Sequence, residues 1–155
     1  MLGTVGEKER MDTTVIADAV NLASRLEGLT KLYGAGIVIS EQTLSRLDEP
    51  QAFSCRFLGR VRVKGKKAPV AVFEVYDGDP QPLIDLKTQT RADFEQGVYL
   101  YHQEQFAQAQ AIFQQVLQTN EQDKAARLYV KRCEQLQTYG SSHEWDGVET
   151  LHEKL

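Results

Sequence analysis

Apolar positions change their period several times along the chain, and each change marks an element. Thr13, Thr14, Val15 and Ile16 form a β-branched run whose stiff side chains suit a pleated strand. From Asp18 to Tyr33, the residues Val20, Leu22, Ala23, Leu26, Leu29 and Tyr33 recur at spacings of three and four, the period of an amphipathic helix. Asp18 is placed to cap that helix, because its carboxylate can accept hydrogen bonds from the free N–H groups of the first turn. Gly34 ends it in a left-handed conformation. Residues 35–39 read as a short strand, and Ser40 as the N-cap of a short helix over 41–48, stopped by Pro50. Residues 53–76 read as a hairpin. In its first arm Val61 and Val63 alternate with Arg60, Arg62 and Lys64, giving one apolar and one basic face, and residues 65–67 turn the chain.

The second half has a different rhythm. Asp77-Gly78-Asp79-Pro80 breaks the strand pattern, and residues 79–92 read as a polar linker. Phe94, Gly97, Val98 and Tyr101 mark one helix; Phe106, Ala109, Phe113 and Leu117 mark a second. A third, over 123–138, carries Ala126, Leu128, Tyr129, Cys133 and Leu136. The offsets from Gly97 to Ala109 and Phe113 resemble one tetratricopeptide repeat, with small residues where helices approach and aromatics between them. The expected organisation is a first unit over 1–78, a linker over 79–92, repeat-like helices over 93–139 and a tail over 140–155. The single Trp, Trp145, is expected to dock that tail onto the helices.

Charge supports the division. Residues 1–78 hold 11 Lys/Arg against 10 Asp/Glu, and the remainder 7 against 12, for a net charge of −4. No general basic field points to nucleic acid, and the basic stripe from Arg60 to Lys67 is too local for a nucleic-acid module. Two cysteines, Cys55 and Cys133, give neither a disulfide framework nor a metal spacing, as expected of thiols in a reducing, cytoplasmic setting. No apolar run reaches the ~20 residues of a membrane span.

The candidate chemistry lies in the first helix. Asn21 and Arg25 are four apart and share one face near the capped end. An amide and a guanidinium there can form an anion site, the alternative being an ordinary solvated face. The segment from Arg10 to Tyr33 resembles the signature of the class III adenylate/guanylate cyclases, in which a strand with a purine-contacting residue leads into a helix bearing an Asn and, four positions on, an Arg. The resemblance continues through Gly36–Glu41, Arg62–Lys66 and Val72–Tyr76, and covers roughly residues 1–78.

That resemblance implies an α+β fold: the C-terminal half of a ferredoxin-like cyclase catalytic domain, followed by an all-α, tetratricopeptide-like segment. It implies conversion of ATP to cyclic AMP and pyrophosphate at a dimer interface. Thr14 would contact the purine, Asn21 orient the ribose, Arg25 stabilise the α-phosphate in the transition state, and Lys64 hold the terminal phosphates. Thr14 is of the adenylate type. Mg2+ or Mn2+ would be bound by aspartates in an upstream half expected to precede Met1; Asp12 and Asp18 are not substitutes for them, Asp18 being a cap. This chain, owning one wall, is not expected to make cyclic AMP without that half and a second subunit. The rival expectation is a non-catalytic cyclase-homology fragment whose helices recruit a protein partner. Gly59–Lys66 fails the Walker A spacing, and His102, His143 and His152 lack metal-ligand companions in the sequence.

Overall fold

The computed structural model describes residues 28–63, 68–141, 145 and 147–151. Thr14, Asn21, Arg25 and Lys64 lie outside the described residues.

The described chain is a mixed α+β arrangement. The first helix, α1, is described over residues 28–33. It is followed by β1 (Ile37–Ser40), α2 (Glu41–Ser45), a 3-10 turn (Pro50–Ala52), β2 (Cys55–Val63) and β3 (Val70–Val75). Three longer helices come next, α3 (Gln81–His102), α4 (Phe106–Thr119) and α5 (Lys124–Tyr139), and then β4 (Val148–Leu151). The sheet order is β1-β3-β2-β4. The first three strands pair antiparallel, whereas β4 runs parallel to β2, with Arg60 opposite Val148 and Val63 opposite Leu151.

Helix α1 ends where the sequence expects. Gly34 has φ +67°, and the Ala35 N–H bonds the Thr30 carbonyl at 2.9 Å, the six-to-one bond of a Schellman stop. A side chain at Gly34 would be costly twice over, since an added Cβ would also lie 2.7 Å from Lys124 Cβ on α5. Ser40 caps α2, its hydroxyl accepting the Thr43 N–H at 3.1 Å.

A β-bulge decides which face of β2 is buried. Phe57 pairs with Phe73 and Gly59 with Val72, so Leu58 is the extra residue. Before it, Arg56 faces inward opposite Glu74. Strict alternation would then send Arg60 and Arg62 into the core, because strand side chains have a period of two. The extra residue reverses the phase, so Val61 is fully buried and Arg60 is exposed. Gly59, at φ +143°, passes against α5: an added Cβ would sit 2.2 Å from the Tyr129 hydroxyl, which donates to the Leu58 carbonyl.

The helices cover one face of this sheet and share its core. Leu29, Tyr33, Leu58, Val61 and Val72 belong to the same buried cluster as Phe94, Val98, Ala109, Phe113, Ala126, Tyr129 and Cys133. Phe113 stacks on Tyr129 at 4.8 Å, and Phe94 meets both rings edge-on. Gly97 lets α4 approach α3, since an added Cβ would lie 2.7 Å from the Phe113 ring.

Three sequence expectations change. Residues 81–92 are the first half of α3 instead of an irregular connector. Their polar residues are satisfied within the fold: Lys87 reaches Glu74 and Asp79, and the Thr90 hydroxyl donates to the Leu86 carbonyl at 2.8 Å. Helix α2 stops at Ser45, not at 48. The tail contains strand β4, held by Trp145, whose indole N–H donates to the His102 carbonyl at 3.0 Å and whose ring meets Tyr101 and Phe106 edge-on.

Candidate functional site

Among the described residues, of which 28–63 lie between Arg25 and Lys64 in the sequence, two features stand out. One is a buried chain of charges at the junction of sheet and helices. On β2, Arg56 donates from Nε to Glu74 Oε1 at 2.7 Å and from both Nη atoms to Asp123 at 2.7 and 2.9 Å. On α3, Lys87 donates to Glu74 Oε2 at 2.5 Å and to Asp79 at 2.6 Å. Arg56, Glu74 and Asp123 are at most 2% exposed. Arg56 also lies 4.1 Å from the centre of the Phe94 ring.

Burial opposes the Arg56 charge, but the hydrogen bond and charge of Asp123, followed by Glu74, outweigh it and hold the guanidinium above its usual range. Asp123 has a second duty: it is the N-cap of α5 and accepts the Ala126 N–H at 3.3 Å. One carboxylate therefore fixes the start of α5 and ties it to β2. Forked geometry suits this task better than a lysine would.

The other feature is the hold of α5 on α1. Lys124 Nζ donates to the Lys31 carbonyl at 2.5 Å, placing a cation at the negative end of α1. One turn and then a second along α5, Tyr129 and Arg132 engage Tyr33. The two tyrosine rings lie 6.4 Å apart, and the Arg132 guanidinium lies 5.7 Å from the Tyr33 ring and 5.3 Å from the Tyr129 ring. Arg132 Nη1 also donates to the Tyr33 hydroxyl at 3.4 Å. Burial pushes the Tyr129 hydroxyl well above its ordinary range, and pushes the Cys133 thiol up to about 12. Both groups are therefore neutral packing elements at physiological pH, not nucleophiles.

Neither feature is a reaction centre. Among the described residues no group of three or more His, Cys, Asp or Glu side chains could hold a metal ion. Glu74, Asp79 and Asp123 are engaged by Arg56 and Lys87, so these carboxylates do not fit the divalent ion that the family resemblance implies. A groove of about 350 Å3 between α5 and the tail is lined by Tyr101, Arg132, Gln135, Leu136, Tyr139, Gly140 and Trp145. Among the described residues its lining includes no acid, thiol or imidazole. No described helix is long and apolar enough to cross a membrane.

Sequence patterning did not reveal the charge chain, although one signal was present. Val72, Glu74 and Tyr76 share a strand face, and two of the three are apolar. A carboxylate on the apolar face of a strand calls for a buried cation. The identity of that cation depends on the bulge and on the docking of α5, neither of which the period reveals.

No family model and no solved structure gives a significant match. Among curated proteins, the chain is 50% identical over 76 residues to an adenylate cyclase of Anabaena cylindrica, covering 48% of this chain and 15% of that protein. It is 35% identical over 134 residues to the terminal-differentiation-specific adenylate cyclase of Dictyostelium discoideum, covering 86% of this chain and 6% of that protein. It is 37% identical over 75 residues to adenylate cyclase 1 of Rhizobium meliloti strain 1021, covering 48% of this chain and 11% of that protein. The chain thus spans only a small part of the length of these relatives. The 134-residue match is too long for residues 1–78 and takes in part of the helical half. These similarities to proteins that share one name support a cyclase family for this chain.

Proposed function

We propose that this chain supplies one wall of an adenylate cyclase active site. The reading rests on one observation: Thr14, Asn21, Arg25 and Lys64 occur together, in family order, in a chain whose curated relatives carry the name adenylate cyclase. The ribose 3′-oxygen attacks the α-phosphorus and loses its proton. The bond from that phosphorus to the bridging oxygen breaks, and pyrophosphate leaves.

Negative charge grows on the phosphate oxygens during this step, so fixed cations and donors are the useful groups. Thr14, which both donates and accepts, meets the adenine edge. Asn21 orients the ribose, the planar fork of Arg25 stabilises the α-phosphate, and Lys64 holds the terminal phosphates. The remaining wall, with the carboxylates for Mg2+ or Mn2+, comes from outside this chain, through an upstream half-domain and a second subunit. The sheet is the C-terminal part of a ferredoxin-like catalytic domain, the helices are tetratricopeptide-like, and the protein works in the cytoplasm.

The test uses the protein that carries this chain together with the rest of its catalytic domain. Arg25→Ala lowers kcat by roughly 100- to 1000-fold, the loss typical of removing one preorganised donor to a developing charge. Lys64→Ala acts mainly on KM for ATP. Full kcat in the Arg25→Ala protein would remove the proposed transition-state role.

A further inference from the structure

The three helices after the sheet have a second use beyond covering its apolar face. Helix α5 grips the end of α1 at three points along its length. Lys124 bonds the Lys31 carbonyl, Tyr129 packs its ring beside that of Tyr33, and Arg132 lies over both rings and donates to the Tyr33 hydroxyl. Gly34, whose missing side chain leaves room for Lys124, completes the fit. The base of α5 is tied to β2 by the paired hydrogen bonds of Arg56 to Asp123.

In the sequence, Arg25 stands eight residues before Tyr33, within the run whose spacings of three and four predict the helix that ends there. We propose that Lys124 and Arg132 are positioning residues for the cyclase reaction: they fix the axis and rotation of α1 and so the aim of Asn21 and Arg25. This inference rests on the functional reading above. It makes the helical half part of the catalytic unit, and any partner that displaces α5 then changes turnover. The Dictyostelium match, which extends into the helical half, accords with this.

A small misplacement of a catalytic group is expensive, about 100-fold for 1 Å, because the aligned geometry is lost. Arg132→Ala in the protein carrying this chain is therefore expected to lower kcat by roughly 10- to 100-fold while KM for ATP stays within about twofold. Arg132→Lys keeps a cation over the rings and restores most of kcat. Hydrogen exchange read on the same proteins shows faster exchange of the residue 28–33 amides in Arg132→Ala, with the amides of β3 unchanged.

A normal kcat in Arg132→Ala despite faster α1 exchange would overturn the inference, as would unchanged exchange. A kcat loss that Arg132→Lys fails to restore, accompanied by loosened β3 amides, would also overturn it by showing general destabilisation. If the unaltered protein forms no cyclic AMP at all, the functional reading fails instead, and the exchange data still report whether the grip on α1 exists. Lys124→Ala supplies an independent variant at an exposed position.

Discussion

Asp123→Ala tests the join between sheet and helices where it is most concentrated. The substitution removes both acceptors of the Arg56 fork, 2.7 and 2.9 Å away, and the cap of α5. Arg56 is 1% exposed and cannot turn to water, although Glu74 still holds its Nε. Breaking a buried pair from one side costs about 3–5 kcal/mol, and losing a cap about 1 kcal/mol. One carboxylate serves both roles, so the costs overlap, and about 4 kcal/mol is expected. Against a total stability of about 5–15 kcal/mol this is a large fraction, equivalent to a fall in Tm of roughly 10–15 °C at this chain length. Urea unfolding followed by circular dichroism, with the slope checked for constancy, measures it. The double variant Arg56→Met, Asp123→Leu removes the stranded guanidinium but leaves buried Glu74 to Lys87 alone and α5 uncapped, so it recovers only part of the loss. A single-variant cost below about 1 kcal/mol would refute the argument, because no buried bidentate pair could then be bridging β2 and α5.

Two other expectations follow from packing and ionisation. Gly97→Ala would ordinarily stabilise a helix interior by up to about 1 kcal/mol, but here the added methyl meets the Phe113 ring at 2.7–3.0 Å. Overpacking of about 1–3 kcal/mol wins, so a net loss in thermal unfolding is expected, and a gain would contradict the close approach. Alkaline pH should destabilise the fold through Cys133. Its thiol stays protonated in the folded protein up to about 12, while the ordinary value is 9.0, so between these values the unfolded state binds fewer protons. Stability is full below about pH 9 and falls as pH rises toward 12. Urea midpoints at pH 8 and pH 10.5 should show a fall that is smaller in Cys133→Ala.

Much of the fold was legible because the relevant signals are local. The Gly34 stop, the Ser40 cap and the third helix need only neighbours a turn away, and the structure shows each of them, α5 spanning Lys124–Tyr139. The early start of α3 was not legible, because residues 81–92 look like a linker until Lys87 finds Glu74 and Asp79 across the fold. Strand β4 was equally hidden, since four residues paired to a distant strand carry no period of their own. The bulge at Leu58 and Gly59 was invisible for the same reason: the space it requires belongs to Tyr129 on another helix. Thr14, Asn21, Arg25 and Lys64 came from a motif, and they lie outside the described residues. What the structure adds is a physical account of their neighbours, α1 from Gly28 onward and β2 up to Val63.

Sheet and helices share one buried core, and α5 contacts the end of α1, so they are expected to open as one cooperative unit. Native-state hydrogen exchange across a low-urea series tests it most directly, comparing the amides of β2 and β3 with those of α5 around Tyr129 to Cys133. A single unit predicts that both sets converge on one opening free energy with the same urea dependence. Helical amides that open at a distinctly lower free energy while the sheet stays closed would contradict the claim. They would make the helices a separable module and favour a partner-recruiting fragment.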